Sequence, residues 1–419
     1  MIETLRSVMS FRRFELDPVK RRLASAANLE DLREIARRRL PRGVFDYIDG
    51  AAEDEITRAR NEASFRDLEF RPRVLRDVAS IDPAGTVLGK RVPLPLVLAP
   101  TGFARIADPA GELAVAAAAA RAGLPYTLST MATRSIEEVA QASDGGRPGG
   151  ADEPARRWFQ VYVWKDRGLV RSLLERARAA RYEAIMITVD TAVLGRRERD
   201  VRRGFTLPPK LGLGTIVDGV LHPGWTWAFL NAEPIRFANV VGHDDTDGSD
   251  AVSLSEHVSA QFTQSLSWKD IDWFREHWDG PIVLKGVQCV EDAREAVRVG
   301  VDGIGLSNHG GRQLDGAPAP IELVGPTRDA VGDDVEVYCD GGIRRGSDVV
   351  KAMALGASAC LVGRAHFYAL AAGGELGVDW ALDFLDAGIR RTLALVGYPS
   401  FAELPRELVR WRSAPGARP

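Results

Sequence analysis

Cysteine is scarce: Cys289, Cys339 and Cys360 stand far apart in apolar surroundings, three in 419 residues. No C-x-x-C pair or Cys/His cluster occurs, so no zinc ribbon, metal centre or disulfide framework is expected, and a reducing compartment is. The opening segment MIETLRSVMSFRRFELDPVKRR has no apolar core of the kind a secretory leader needs, so a cytoplasmic protein is expected. The longest alanine-rich run, LAVAAAAA (113 to 120), is far too short to span a bilayer. Charge of one sign is not in excess. The net value is −3, so no basic field invites nucleic acid. No Walker A lysine loop is present, and no G-x-G-x-x-G follows a strand, which removes the usual P-loop and Rossmann nicotinamide sites. A C-x-x-C-H haem attachment is also missing.

What is present is alternation. From residue 95 onward, short apolar runs alternate with longer helical patterns. The runs are PLVLAPTG (95 to 102), PYTLST (125 to 130), RWFQVYV (157 to 163) and AIMITVD (184 to 190), then PIVLKGV (281 to 287), GIGLSN (303 to 308), EVYCDGG (336 to 342) and ACLVGR (359 to 364). Their unbroken apolarity is what a parallel sheet buried on both faces requires. Segments such as GELAVAAAAARAG and EDAREAVRVG carry apolar residues at i, i+3 and i+4 and end in glycine. Eight βα units in series predict an α/β fold, a (β/α)8 TIM barrel. A doubly wound open sheet is the alternative, though eight regular units close more naturally than they stay open.

Residues 1–94 precede the barrel as a helical extension, with Asn28 suited to cap one helix and Pro41 to start the next. The barrel spans 95–400 and includes an inserted loop, 191–267, after strand four; 401–419 form a tail. The loop is far longer than a βα connection needs, and its GHDDTDGSDA (242 to 251) reads as mobile.

Barrel active sites form at the C-terminal strand ends. Read in order, those ends present Pro100, Thr101 and Gly102; Ser129; Gln160 and Tyr162; Thr188 and Asp190; Lys285; Ser307 and His309; Asp340, Gly341, Gly342 and Arg344; and Gly363 and Arg364. Burying so many polar groups without partners costs a few kcal/mol each, so a polar ligand is expected among them. DGGIRRG and VGR put glycine backbones and arginines after strands seven and eight, where barrels commonly hold a phosphate. Lys285 could be a Schiff-base amine, a cation beside an anionic cofactor, or a snorkelling surface residue.

In GLSNHGGRQLD (305 to 315), His309 is a candidate general base with Asp190 as its partner. Arg312, with Arg197 from LGRRERD, could clamp a carboxylate in bidentate fashion. The other arginines of that run, Arg196, Arg199, Arg202 and Arg203, read as solvated charge.

VFDYIDGAAEDE, LAPTG, FQVYVWKD, TVDTAVLGRRERD, LKGV, SNHGGRQLD, DGGIRRGSDVVKA and VGRA, in this order from about residue 28 to about 400, resemble the FMN-dependent α-hydroxy acid oxidising family. Its bacterial L-lactate dehydrogenases are the most similar branch. The resemblance implies FMN as cofactor and an L-2-hydroxy acid, L-lactate foremost, as substrate, with electrons passed to a quinone or other carrier. His309 would take the substrate proton, Asp190 would support it, and Arg197, Arg312 and Tyr47 would hold the carboxylate. Tyr47 reads on its own as a core aromatic of an amphipathic helix. Tyr162 would sit near the substrate hydroxyl.

The resemblance further implies that Pro100 to Gly102, Ser129, Gln160, Thr188 and Ser307 contact the flavin ring, and that Lys285 faces its N1/O2 edge. Asp340 would meet the ribityl chain, and Gly341, Gly342, Arg344, Gly363 and Arg364 the phosphate. An oxidase releasing hydrogen peroxide is the alternative acceptor chemistry, and a non-redox FMN- or phosphate-binding barrel the alternative class. Gly102 stands where many oxidases of the family have alanine, and Met131 where glycolate oxidase has a bulky aromatic, so a different side-chain pocket is expected. A homotetramer is implied by analogy. Trp225, Trp227, Phe229, Leu230 and Phe237 in the inserted loop (222 to 242) suit a peripheral contact with the inner face of the cell membrane, or packing on the barrel.

Overall fold

The computed structural model describes residues 15–147, 154–203, 212–240 and 263–412. The acidic stretch 242–251 expected to be mobile lies outside these residues, as does the side chain of Arg203. Each predicted apolar run contains a strand: β1 Leu96–Leu98, β2 Tyr126–Ser129, β3 Arg157–Tyr162, β4 Ala184–Thr188, β5 Ile282–Val287, β6 Gly303–Ser307, β7 Glu336–Asp340 and β8 Ala359–Val362. All pair in parallel with their neighbours, and Leu361 and Val362 of β8 pair with Val97 and Leu98 of β1. That closure makes a barrel and excludes the open doubly wound sheet. Nearly every strand position is buried, because one face meets the barrel interior and the other the surrounding helices.

The interior is filled by Val97, Ala99, Trp158, Met186, Val283, Tyr338 and Leu361, with Trp158 and Tyr338 edge to face at 5.7 Å. Val87 and Val92, from a small hairpin (85–87 with 90–92), join this cluster and plug the N-terminal end of the barrel. Access is left to the C-terminal mouth.

The N-terminal extension forms α1 Pro18–Leu23, α2 Leu29–Arg39, α3 Arg42–Asp49 and α4 Ile56–Arg66. Asn28 caps α2 by accepting from the Glu30 and Asp31 amides. The end of α3 lies across the barrel mouth, held by two arginines that satisfy its last carbonyls. Arg312 Nη1 donates to Tyr47 O (2.7 Å) and Gly50 O (2.9 Å), and Arg364 donates to Ile48 O (3.2 Å) and Gly50 O (2.7 Å). A helix C-terminus leaves such carbonyls unpaired and carries partial negative charge, so cations dock there.

Among its described residues the inserted segment contributes three short helices, α5 Glu198–Arg203, α6 Leu213–Leu221 and α7 Pro223–Leu230, before α8 Lys269–His277 resumes the barrel pattern. The last helix, α9 Arg364–Val396, is kinked at Gly373 and Gly374. Beyond it, Val409–Trp411 pair antiparallel with Leu68–Phe70, fastening the chain's end to the N-terminal extension.

Candidate active site

The turn after β6 is built from consecutive left-handed residues: His309 (φ 57°), Gly310 (φ 64°) and Gly311 (φ 74°). A side chain at φ > 0 is uncommon, though histidine is among the residues enriched there. At Gly311 a Cβ would lie 2.7 Å from the Arg58 backbone, so glycine is required on two grounds. The turn rests on a buried, reciprocal amide pair. Asn61 Nδ2 donates to Asn308 Oδ1 (2.8 Å), and Asn308 Nδ2 donates to Asn61 Oδ1 (2.7 Å). Asn308 Oδ1 also accepts from the Gly311 amide at 3.0 Å.

This conformation aims His309 Nδ1 at the Asp190 carboxylate, 3.1 and 3.2 Å from its oxygens. Asp190 reaches it past Gly286 (φ 112°), whose Cβ would collide with Asp190 at 2.9 Å. Burial lowers the His309 pKa below its usual 6.5, and Asp190 opposes that without cancelling it. Burial alone would raise the Asp190 carboxyl. His309 and Lys285 more than offset it and hold it below the usual carboxylate range.

A cavity of about 240 Å³ opens beside His309. Every residue expected at the site lines it except Asp190 and Ser307, which stand one layer back. Ser307 joins three of the lining residues from behind. Its hydroxyl donates to Asp340 (2.7 Å) and accepts from Lys285 Nζ (3.0 Å) and the His309 amide (3.0 Å). Lys285 Nζ also pairs with Asp340 Oδ2 at 3.0 Å. Burial works against the Lys285 charge, but Asp340 and Asp190 more than offset it and raise its pKa. A Schiff-base amine needs the opposite shift, so Lys285 is a fixed cation. On the other wall, Gln160 accepts from Ser129 (3.1 Å) and the Thr130 amide (3.2 Å) and donates to Thr188 (3.0 Å), which fixes its amide at the mouth.

Arg197 and Arg312 both line the cavity. Arg197 Nε is buried with no hydrogen-bond partner among the described residues. Burial and the nearby Arg197 charge push Arg312 down to about 9. Both guanidiniums are half-buried and neither has an ion pair among the described residues, so a bound carboxylate would give them one. Tyr47 and Tyr162 close the same space, their phenols held above the usual range chiefly by burial.

Arg364, expected at a phosphate, lines the cavity and gives three of its five N–H groups to carbonyls of Ile48, Gly50 and Gly310, which leaves two for a ligand. One reading of the sequence needs correction. Arg199 is not solvated. It joins Arg33, Arg58 and the Tyr368 hydroxyl around Asp49, whose side chain is fully buried, and also pairs with Glu55. Phe237 is buried at the cavity wall, 5.5 Å from Phe103, which meets Tyr47 at 6.0 Å; it faces neither membrane nor solvent. Missed altogether were Ile48, Leu194 and Phe367 in the lining, apolar residues with no motif to mark them.

The donor set fits a flat, anionic, phosphate-bearing group such as FMN. A buried ammonium, a fixed amide and two hydroxyls face one side, and glycine turns with Arg344 close the other. Comparison with known proteins agrees. A family model described as FMN-dependent dehydrogenase matches residues 36–411. A Mycobacterium tuberculosis protein is 44% identical over 98% of this chain and 96% of its own. The L-lactate dehydrogenase of a Caulobacter species is 41% identical over 90% of this chain and 97% of its own. The crystal structure of the monotopic membrane protein (S)-mandelate dehydrogenase superposes with TM-score 0.86 at 38% identity, covering 92% of this chain and 99% of that one.

Proposed function

We propose, for a chain that belongs to the FMN-dependent dehydrogenase family, that it oxidises L-lactate to pyruvate and passes the electrons to a quinone. The observation that carries this reading is one cavity that joins His309, backed by Asp190, to two arginines with no ion pair among the described residues and to the buried Lys285 cation. A non-redox barrel has no use for all three. Lactate is favoured by the Caulobacter relative's name and by the compact apolar wall of Met131, Leu194 and Phe237.

FMN supplies the two-electron acceptor. Its ring would lie among Pro100 to Gly102, Ser129, Gln160, Thr188 and Lys285, with Ser307 behind Lys285, Asp340 toward the ribityl chain, and Gly341, Gly342, Arg344, Gly363 and Arg364 toward the phosphate. Arg197, Arg312 and Tyr47 hold the substrate carboxylate, and Tyr162 orients the hydroxyl. His309 directs Nδ1–H at Asp190, which leaves Nε2 unprotonated to take the substrate proton. Asp190 then stabilises the imidazolium. Lys285 stabilises negative charge that develops on the cofactor.

Among the described residues no helix is long and apolar enough to cross a membrane. Yet α6 and α7 expose Ile216, Val217, Val220, Leu221, Trp227 and Leu230 together, which supports peripheral membrane contact and hence a lipid-soluble acceptor. A homotetramer is proposed on family likeness alone.

The test is an anaerobic titration of the purified yellow protein with L-lactate, followed by a panel of a short-chain quinone, a cytochrome and oxygen. Bleaching of the flavin and fastest reoxidation by the quinone are expected. No bleaching, or rapid peroxide release without added acceptor, overturns the assignment.

A further inference from the structure

We infer that Gln313 is the positioning residue of the arginine pair: it pins the segment leaving β4 onto the turn leaving β6, so that Arg197 stands beside Arg312. The inference rests on the reading of those arginines as ligands of the substrate carboxylate.

Gln313 follows Arg312 directly and is 8% exposed. Its Oε1 accepts from the Gly195 amide at 3.1 Å. Its Nε2 donates to Asp190 O at 3.0 Å and to Val193 O at 2.8 Å. Three of the four hydrogen bonds an amide side chain can make therefore go to one stretch of six residues, which begins at the His309 partner and ends two residues before Arg197. The two loops touch without slack. A Cβ on Gly195 would lie 2.3 Å from Arg312 O and 2.5 Å from Gln313 O. The far side of Arg197 is tied as well: Glu53 N donates to Arg196 O at 2.9 Å, and Arg199 pairs with Asp49 at 2.8 Å.

Such fixing has a physical purpose. Two like charges near each other, one with a buried nitrogen that has no hydrogen-bond partner among the described residues, favour Arg197 swinging away into water when no substrate carboxylate is bound. Arg312 cannot move, since its guanidinium holds two carbonyls at the end of α3. The segment carrying Arg197 is the part able to yield, and Gln313 restrains its near side as Glu53 and Asp49 restrain its far side. A site preorganised in this way binds the carboxylate without first having to order a loop.

The experiment is a double-mutant cycle with Gln313→Leu and Arg197→Met, scored by flavin content, KM and kcat for L-lactate. Arg197→Met is expected to raise KM by roughly tenfold to a hundredfold, and Gln313→Leu by about tenfold with a smaller change in kcat. The double variant is expected to match Arg197→Met alone, because Gln313 acts through that residue. Gly195→Ala, which pushes the same contact from the other side, is expected to repeat the pattern and serves if Gln313→Leu fails to fold. Multiplying fold-changes overturn the positioning role. So does an unchanged KM in Gln313→Leu beside a raised KM in Arg197→Met. An unchanged KM in Arg197→Met overturns the carboxylate reading itself, and the positioning role with it.

Discussion

The turn after β6 and the excursion after β4 each bring one arginine and one member of the acid–base pair to the same cavity, by opposite means. The turn does so in the six residues from Ser307 to Arg312. Its left-handed backbone and the Asn61–Asn308 amide pair fix it almost completely. The excursion starts at Asp190 and does not rejoin the barrel pattern until α8. Its inner parts are held from outside, by Gln313, Glu53, Asp49 and the cavity wall, whereas α6 and α7 turn apolar side chains to solvent. The base, whose placement matters most, is on the short element with little freedom of its own. The long one adds an anion ligand on its inside and leaves its outside for other contacts.

The comparison is broken most severely at the turn. His309→Asn suits the left-handed backbone at φ 57°, so the turn is expected to survive while the base is lost. The expected fall in kcat is about 10²- to 10⁴-fold with flavin retained. Turnover within threefold of the parent would sink the assignment of the base.

At the root of the excursion, Asp190→Asn tests the partner. Neutral His309 is the active form, so kcat/KM falls as acid protonates it, along a limb below pH 6.5 because burial lowers its pKa. Asp190 raises that pKa, so replacing it with Asn moves the limb to still lower pH. The plateau drops at the same time, roughly a hundredfold, because the imidazolium loses its counter-ion. A limb moving toward higher pH would contradict the pairing.

The fold was legible because the eight strands are buried on both faces and read as plain apolar runs, and because polar residues recur at their C-terminal ends. Site residues at those ends were legible for the same reason. What escaped lies in long-range contacts. Asn61 and Asn308 are 247 positions apart, and nothing local in either marks a pair. Arg199 sits in a run of arginines whose members look alike until Asp49 selects one. Tyr47 was legible only by family likeness, since an aromatic in an amphipathic helix ordinarily means core. The apolar segment 222–242 could not be sorted into inside and outside. That division depends on which faces meet the barrel, and Trp225 settles one of them by donating to Ile106 O at 2.8 Å.

The smallest expected effect sharpens that last division. Trp227 and Leu230 are 73% and 72% exposed, whereas Phe237, a few residues on, is 3% exposed at the cavity wall. Replacing the first two together by serine removes almost no buried surface, so stability is expected to change by no more than about 0.5 kcal/mol. Turnover with a soluble dye as acceptor is expected to be unchanged. Truncating Phe237 to alanine is expected to cost about 3 kcal/mol or more, because the cavity it leaves adjoins the aromatic chain through Phe103 to Tyr47. Flotation with anionic liposomes then separates the two faces. The parent and the Phe237 variant are expected to float, and the Trp227/Leu230 double variant to stay in the dense fraction. A parent chain that does not float ends the membrane proposal. A double variant that floats as well as the parent moves the contact to another surface, and leaves the exposed faces of α6 and α7 without the role assigned to them.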